Sequence, residues 1–351
     1  MSKFWSTVAN RCEPYIPGEQ LNQKDIIKLN TNENPYPPSP KVIDAIKQET
    51  EHALNLYPSP TVDPLREEIA NYYDISKENI FVGNGSDEVL AFSFMAFFEP
   101  GKAIRFPEIS YSFYPVYSKI FNIPYAEIPL LDDFSIRAED YFHSEGGVIF
   151  PNPNAPTSIY LGLEAVKEIL EHNPDQVVIV DEAYVDFAEE SAVTLLKNYP
   201  NILVVQTMSK SRSLAGLRVG FALGSPELIE GLVRIKDSFN SYTIDRLAMA
   251  GARAAMEDRT YFKETTEKII STRNWVSEEL QKRGFNVLPS QTNFLFVSNK
   301  EKNAEALYQS LKDRSILVRY FNKPLIDNYL RITIGTDDDM KTFFEILDNL
   351  K

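Results

Sequence analysis

Two neighbouring stretches carry side chains suited to covalent chemistry on a ring. Asp181 and Tyr184 lie in VVIVDEAYVDF, and Thr207, Ser209, Lys210 and Arg218 lie in TMSKSRSLAGLRVGF. A lysine amine can form a Schiff base, a carboxylate can keep a ring nitrogen protonated, and an arginine with nearby hydroxyls can grip a phosphate. Taken singly, a lysine in a serine-rich loop is a solvated charge, and an arginine near a strand is half of a surface ion pair. What the plain reading does not supply is their order: an acid, a phenol three residues on, a Ser-Lys pair, and an arginine eight residues past the lysine. Lys210, Asp181 and Arg218 meet the needs of pyridoxal phosphate.

These residues must be carried by strand ends. The run VVIV before Asp181 is long enough for a buried strand, so the acid falls at its carboxyl end, where open α/β sheets place ligands. A second run, ILVVQ, ends just before Thr207 and Lys210. FVGNGSDEVL reads as strand, glycine turn, and helix starting near Ser86, which leaves backbone amides free for an anion. From about residue 40 to 238, strands alternate with amphipathic segments, the pattern of a mostly parallel sheet. Residues 248–283 are helical in pattern, and FLFV, ILVRYF and LRITI then read as three strands. The expected fold is α/β, a three-layer α/β/α large domain plus a smaller α+β domain built from the C-terminal part and the N-terminal arm. Its expected limits are 1–39 for the arm, 40–247 for the large domain and 248–351 for the small one.

Composition narrows the function further. The chain has 351 residues, 43% of them hydrophobic, and a net charge of −14 without a basic block, which argues against nucleic acid as a partner. Cys12 is the only cysteine, and His52, His143 and His172 are far apart in sequence, so no metal site is expected. No signal-like or membrane-length apolar run occurs, and a cytoplasmic location is expected.

KLNTNENPYPPSP, LYPSPTVDPLREEIA, FVGNGSDEVL, PNPNAPTS and YLRITIGT, together with the lysine segment, run in order over most of the chain. In them the sequence resembles the fold-type I, pyridoxal-phosphate-dependent aminotransferases, and within these the histidinol-phosphate branch. The resemblance implies transfer of an amino group between L-histidinol phosphate and 2-oxoglutarate in histidine biosynthesis. An aromatic amino acid aminotransferase, or a decarboxylase of an amino-acid phosphate, would use the same lysine and acid. Gly85, Ser86 and Asp87 match the phosphate-holding positions, and Tyr111 matches a tyrosine stacked on the ring; Tyr114 and Tyr117 are assigned to packing. PNPNAPTS departs from the usual PNNPTG by placing Ala155 where an asparagine donates to the ring hydroxyl oxygen. Two readings follow: Asn154 supplies that hydrogen bond, or Tyr184 carries it alone. Arg331 and Arg319 match substrate arginines, Tyr15 and Asn32 lie in segments that close over the substrate, and Tyr57 matches a residue that reaches the neighbouring subunit's cofactor. A homodimer with shared sites is thereby implied.

Overall fold

The computed structural model describes all residues except 1–2, 15–18, 20–25, 52–53 and 351. A two-residue strand, Ile27–Lys28 (β1), precedes seven strands that form one sheet. These are Ile80–Gly83 (β2), Ile104–Pro107 (β3), Tyr125–Ile128 (β4), Val148–Pro151 (β5), Val178–Asp181 (β6), Ile202–Thr207 (β7) and Gly220–Gly224 (β8). Their order is β2-β8-β7-β6-β5-β3-β4, parallel from β7 to β4, with β8 antiparallel to both of its neighbours. Every residue of β5, β6 and β7 is buried, as strands covered on both faces must be. The two-residue alternation divides them between two cores. Phe150, Val178, Val180 and Val204 join one, and Ile149, Ile179, Leu203 and Val205 join the other. The three-layer α/β/α expectation therefore holds.

A second sheet, ordered β12-β13-β10-β9, is antiparallel. It comprises Asn286–Val287 (β9), Phe294–Ser298 (β10), Arg319–Tyr320 (β12) and Tyr329–Thr333 (β13). Ile316–Leu317 (β11) pairs instead with β1 in parallel, so the ILVRYF run is split between two sheets around buried Val318. That pairing ties the N-terminal segment to the C-terminal core, which holds Leu29, Phe294, Ile332 and Phe343.

The helical stretch expected over 248–283 is two helices, Arg246–Glu257 and Arg259–Lys282, with Asp258 between them. Asp258 accepts from the Ser39 hydroxyl and the Lys41 amine, which turns the chain there. The first of these helices contributes Ala248, Ala252 and Met256 to the core of the large sheet. His143 and His172, distant in sequence, have ring centroids 5.6 Å apart, and His172 stacks on Phe142. Among the described residues no group of three or more His, Cys, Asp or Glu could hold a metal ion, and no helix is long and apolar enough to cross a membrane.

Candidate active site

The carboxyl ends of β6 and β7 lie side by side, with Asp181 in register with Val205, so the acid and the loop after Thr207 share one edge of the sheet. Asp181 is 4% exposed. Burial pushes its carboxyl up to about 6, against the opposing pull of the hydrogen bond from the Tyr114 hydroxyl and of the nearby Ala183 backbone. Tyr114 donates to Oδ2 at 2.8 Å, while Oδ1 is buried with no partner among the described residues. A buried carboxylate oxygen in that condition is a site for a charged N–H donor.

Lys210 is half-buried, and its Nζ donates to the Thr31 carbonyl at 3.2 Å. Burial, then the positive field of Arg331, brings the amine down to about 8, so a substantial fraction is neutral near pH 7 to 8. The main chain there is held by Asn34, whose Nδ2 donates to the carbonyls of Lys210 and Ser211. Ser209 and Thr207 bond to each other, hydroxyl to hydroxyl, at 3.0 Å.

Opposite them starts the helix Gly85–Phe97, whose N-cap Asn84 makes no side-chain cap, leaving first-turn amides without an acceptor inside the helix. Arg218 reaches over this end and pairs with Asp87 at 3.2 Å. A Cβ on Gly85 would stand 2.6 Å from Arg218 Nη2, and Gly85 has φ +82°, so only glycine lets the guanidinium lie against the helix terminus. Free amides, an arginine and two hydroxyls make a cradle for a phosphate-sized anion. Tyr111 donates to Asp87 Oδ1 at 2.6 Å and lies edge-on to Tyr114.

Tyr184 is buried, with its ring against Phe294 and Lys210 Nζ 5.9 Å from the ring centroid. Its hydroxyl oxygen accepts from Asn32 Nδ2 at 2.9 Å. Asn32 is 1% exposed, with its side chain turned to the Tyr184 hydroxyl inside the protein. Asn154 donates from Nδ2 to both the Ile109 carbonyl and Thr157 Oγ1, so neither amide proton is left for a ring oxygen.

Arg319 and Arg331 are register partners across β12 and β13, and their guanidinium carbons lie 5.4 and 5.6 Å from the Phe321 ring centroid. Like charges directly opposite each other cost stability unless an anion joins them. Arg331 also donates to the Asn30 carbonyl at 2.8 Å. Tyr57 is 77% exposed and stacks on Tyr242, with its carbonyl bonded by Arg246. Tyr15 lies outside the described residues.

Sequence reasoning missed the hydroxyl of Tyr114, because an aromatic run reads as core. The available signal was that a fully buried tyrosine needs a partner for its O–H. It also passed over Glu182, a buried acid raised to about 7 by burial and bonded to Ser191, the Ala192 amide and Gln206.

Comparison with known proteins shows the family of the chain. The chain is 63% identical over 350 residues to histidinol-phosphate aminotransferase 1 of Oceanobacillus iheyensis, covering 100% of this chain and 99% of that one. It is 57% identical over 345 residues to the histidinol-phosphate aminotransferase of Clostridium acetobutylicum, covering 98% of each. Among solved structures it resembles the Sinorhizobium meliloti histidinol-phosphate aminotransferase in complex with pyridoxal-5'-phosphate. There the TM-score is 0.89 at 24% identity, over 100% of this chain and 99% of that one, a likeness of fold. The model of aminotransferase class I and II matches residues 24–347, and the chain belongs to that family.

Proposed function

We propose that the chain transfers an amino group between L-histidinol phosphate and 2-oxoglutarate, giving imidazole acetol phosphate and L-glutamate, in histidine biosynthesis, with pyridoxal phosphate as cofactor. The observation that carries this reading is a lysine amine held near 8 on the same sheet edge as a buried acid with an unpartnered oxygen and a cradle for phosphate. The residues fit the cofactor: Asp181 Oδ1 would take the ring N–H, and Gly85, Ser86, Asp87, Thr207, Ser209 and Arg218 would hold the phosphate. Tyr111 would face the ring and Tyr184 would donate to its hydroxyl oxygen. When bound, pyridoxal phosphate supplies an aldehyde for amine capture and a ring that withdraws electrons from the substrate.

Lys210 is the nucleophile for attachment and afterwards the group that moves a proton at the substrate Cα. Asp181 keeps the ring nitrogen charged, and Arg331 and Arg319 hold the carboxylate of one substrate and the phosphate of the other. Tyr15 is assigned to the substrate side in this reading. Tyr57 serves the site of a second copy in a cytoplasmic homodimer; exposed Leu54, Leu56, Tyr57, Phe239 and Tyr242 lie on the connected segments that would form that contact. The division of the chain into an arm of 1–39, a large domain of 40–247 and a small domain of 248–351 belongs to the same reading.

Incubation with histidinol phosphate, 2-oxoglutarate and pyridoxal phosphate tests the reading. Glutamate should form mole for mole with amine consumed and without carbon dioxide; carbon dioxide release would make the chain a decarboxylase. Arg319→Ala should raise KM for histidinol phosphate about tenfold, the usual scale for a charge-assisted contact, while KM for glutamate changes little. Equal losses for both substrates would contradict the division of labour. Tyr114→Phe should lower kcat about tenfold, and more steeply below pH 6, because Asp181 without its donor protonates more readily. A loss of the same size at every pH would assign Tyr114 to packing alone.

A further inference from the structure

Asn32 is fixed on every polar atom. Its backbone N–H donates to Thr333 Oγ1 at 3.0 Å, its Oδ1 accepts from the Thr333 hydroxyl at 3.0 Å, and its carbonyl accepts from Asn293 Nδ2 at 3.0 Å. Its φ of 55° is one that asparagine and glycine tolerate best. Turning the amide over would leave the buried Thr333 hydroxyl proton without an acceptor, so the NH2 group faces Tyr184. A phenol oxygen that already accepts must send its own proton elsewhere, and no donation by Tyr184 to another described residue is present.

We propose that Asn32 is a positioning residue which, by donating to the Tyr184 oxygen, commits Tyr184 to donate into the pocket toward the ring hydroxyl oxygen of the cofactor. The neighbouring segment makes this role matter: Ala155 has no polar group, and the amide protons of Asn154 are spent on Ile109 and Thr157. Tyr184 is then the donor, and Asn32 sets its polarity. Thr333 on β13 and Asn293, just before β10, hold Asn32, so the smaller sheet sets the direction of a proton at the edge of the larger one.

The inference rests on the pyridoxal phosphate reading, and its test separates the two. The protein loaded with pyridoxal phosphate is titrated with alkali, and the pH midpoint of its visible absorbance change is recorded for Asn32→Asp, Asn32→Gly and Tyr184→Phe, alone and combined. Asn32→Gly removes the donor and keeps the backbone conformation; Asn32→Asp offers an acceptor and draws the phenol proton away from the pocket. Each single variant should raise the midpoint by about one pH unit and lower kcat with little change in KM. With Tyr184→Phe already present, neither Asn32 change should move the midpoint further. An unchanged midpoint in the single variants, or an equal shift when Tyr184→Phe is present, overturns the proposal. If the Asn32 variants do not fold, Thr333→Val carries the test, with a smaller shift in the same direction expected and no shift overturning it. Absence of any visible band in the unaltered protein after adding the cofactor would instead defeat the cofactor reading, and the inference with it.

Discussion

Lys210→Ala should lose at least about four orders of magnitude in turnover, since one side chain supplies both the attachment of the cofactor and the proton transfer at Cα. The fold should survive, because the Lys210 side chain makes one long hydrogen bond to Thr31. The cradle made by Gly85, Ser86 and Arg218 is untouched, so the variant should still retain pyridoxal phosphate, but without the covalent absorbance band. The unaltered amine gives a companion result. In the protein freed of cofactor, the rate of attachment should rise about tenfold per pH unit below 8 and level off above it, because Lys210 is held near 8 by burial and Arg331. A rate still climbing past pH 10 would mean an unperturbed lysine and a different nucleophile.

The second large effect is at Asp181. Asp181→Ala should cut kcat by more than about a hundredfold, the usual scale for removing an electrostatic partner of the reacting system, while the cofactor remains bound through its phosphate. Burial holds the carboxyl up at about 6 when no cofactor is bound. Below that pH it carries its own proton and cannot accept one from the ring, so affinity for the cofactor should fall as pH drops below 6. Asp181→Asn should bind with no such dependence. Equilibrium titration of the cofactor against each protein, read by fluorescence, checks both. Normal turnover by Asp181→Ala would remove the acid from the mechanism.

What the sequence made legible was whatever a strand end determines. Asp181 and Lys210 were placed correctly relative to the sheet because β6 and β7 are continuous apolar runs, and polar residues following such runs emerge at one edge. The Gly85 turn was legible for the same reason, as a glycine between a strand and a helix. Hydrogen-bond partners were not, since they depend on which segments the fold brings together. Tyr114 reaches Asp181 across 67 positions of sequence, and Asn32 reaches Tyr184 across 152. Asn32 lay in a segment expected to touch substrate, and only the pairing of β1 with β11, alongside the contact with Thr333, turns it inward. The break at Asp258 escaped periodicity because neither flanking helix contains a proline and the turn is made by side chains of Ser39 and Lys41 from far upstream.

The amine, the acid and the arginine pair are together assigned to histidinol phosphate, and a half-reaction tests that most directly. Purified protein loaded with pyridoxal phosphate is mixed separately with histidinol phosphate, phenylalanine and threonine phosphate while the visible band is followed. Rapid bleaching by histidinol phosphate alone, reversed by adding 2-oxoglutarate, is the expected result. Bleaching by phenylalanine as fast or faster would contradict it and make the chain a broad aromatic aminotransferase.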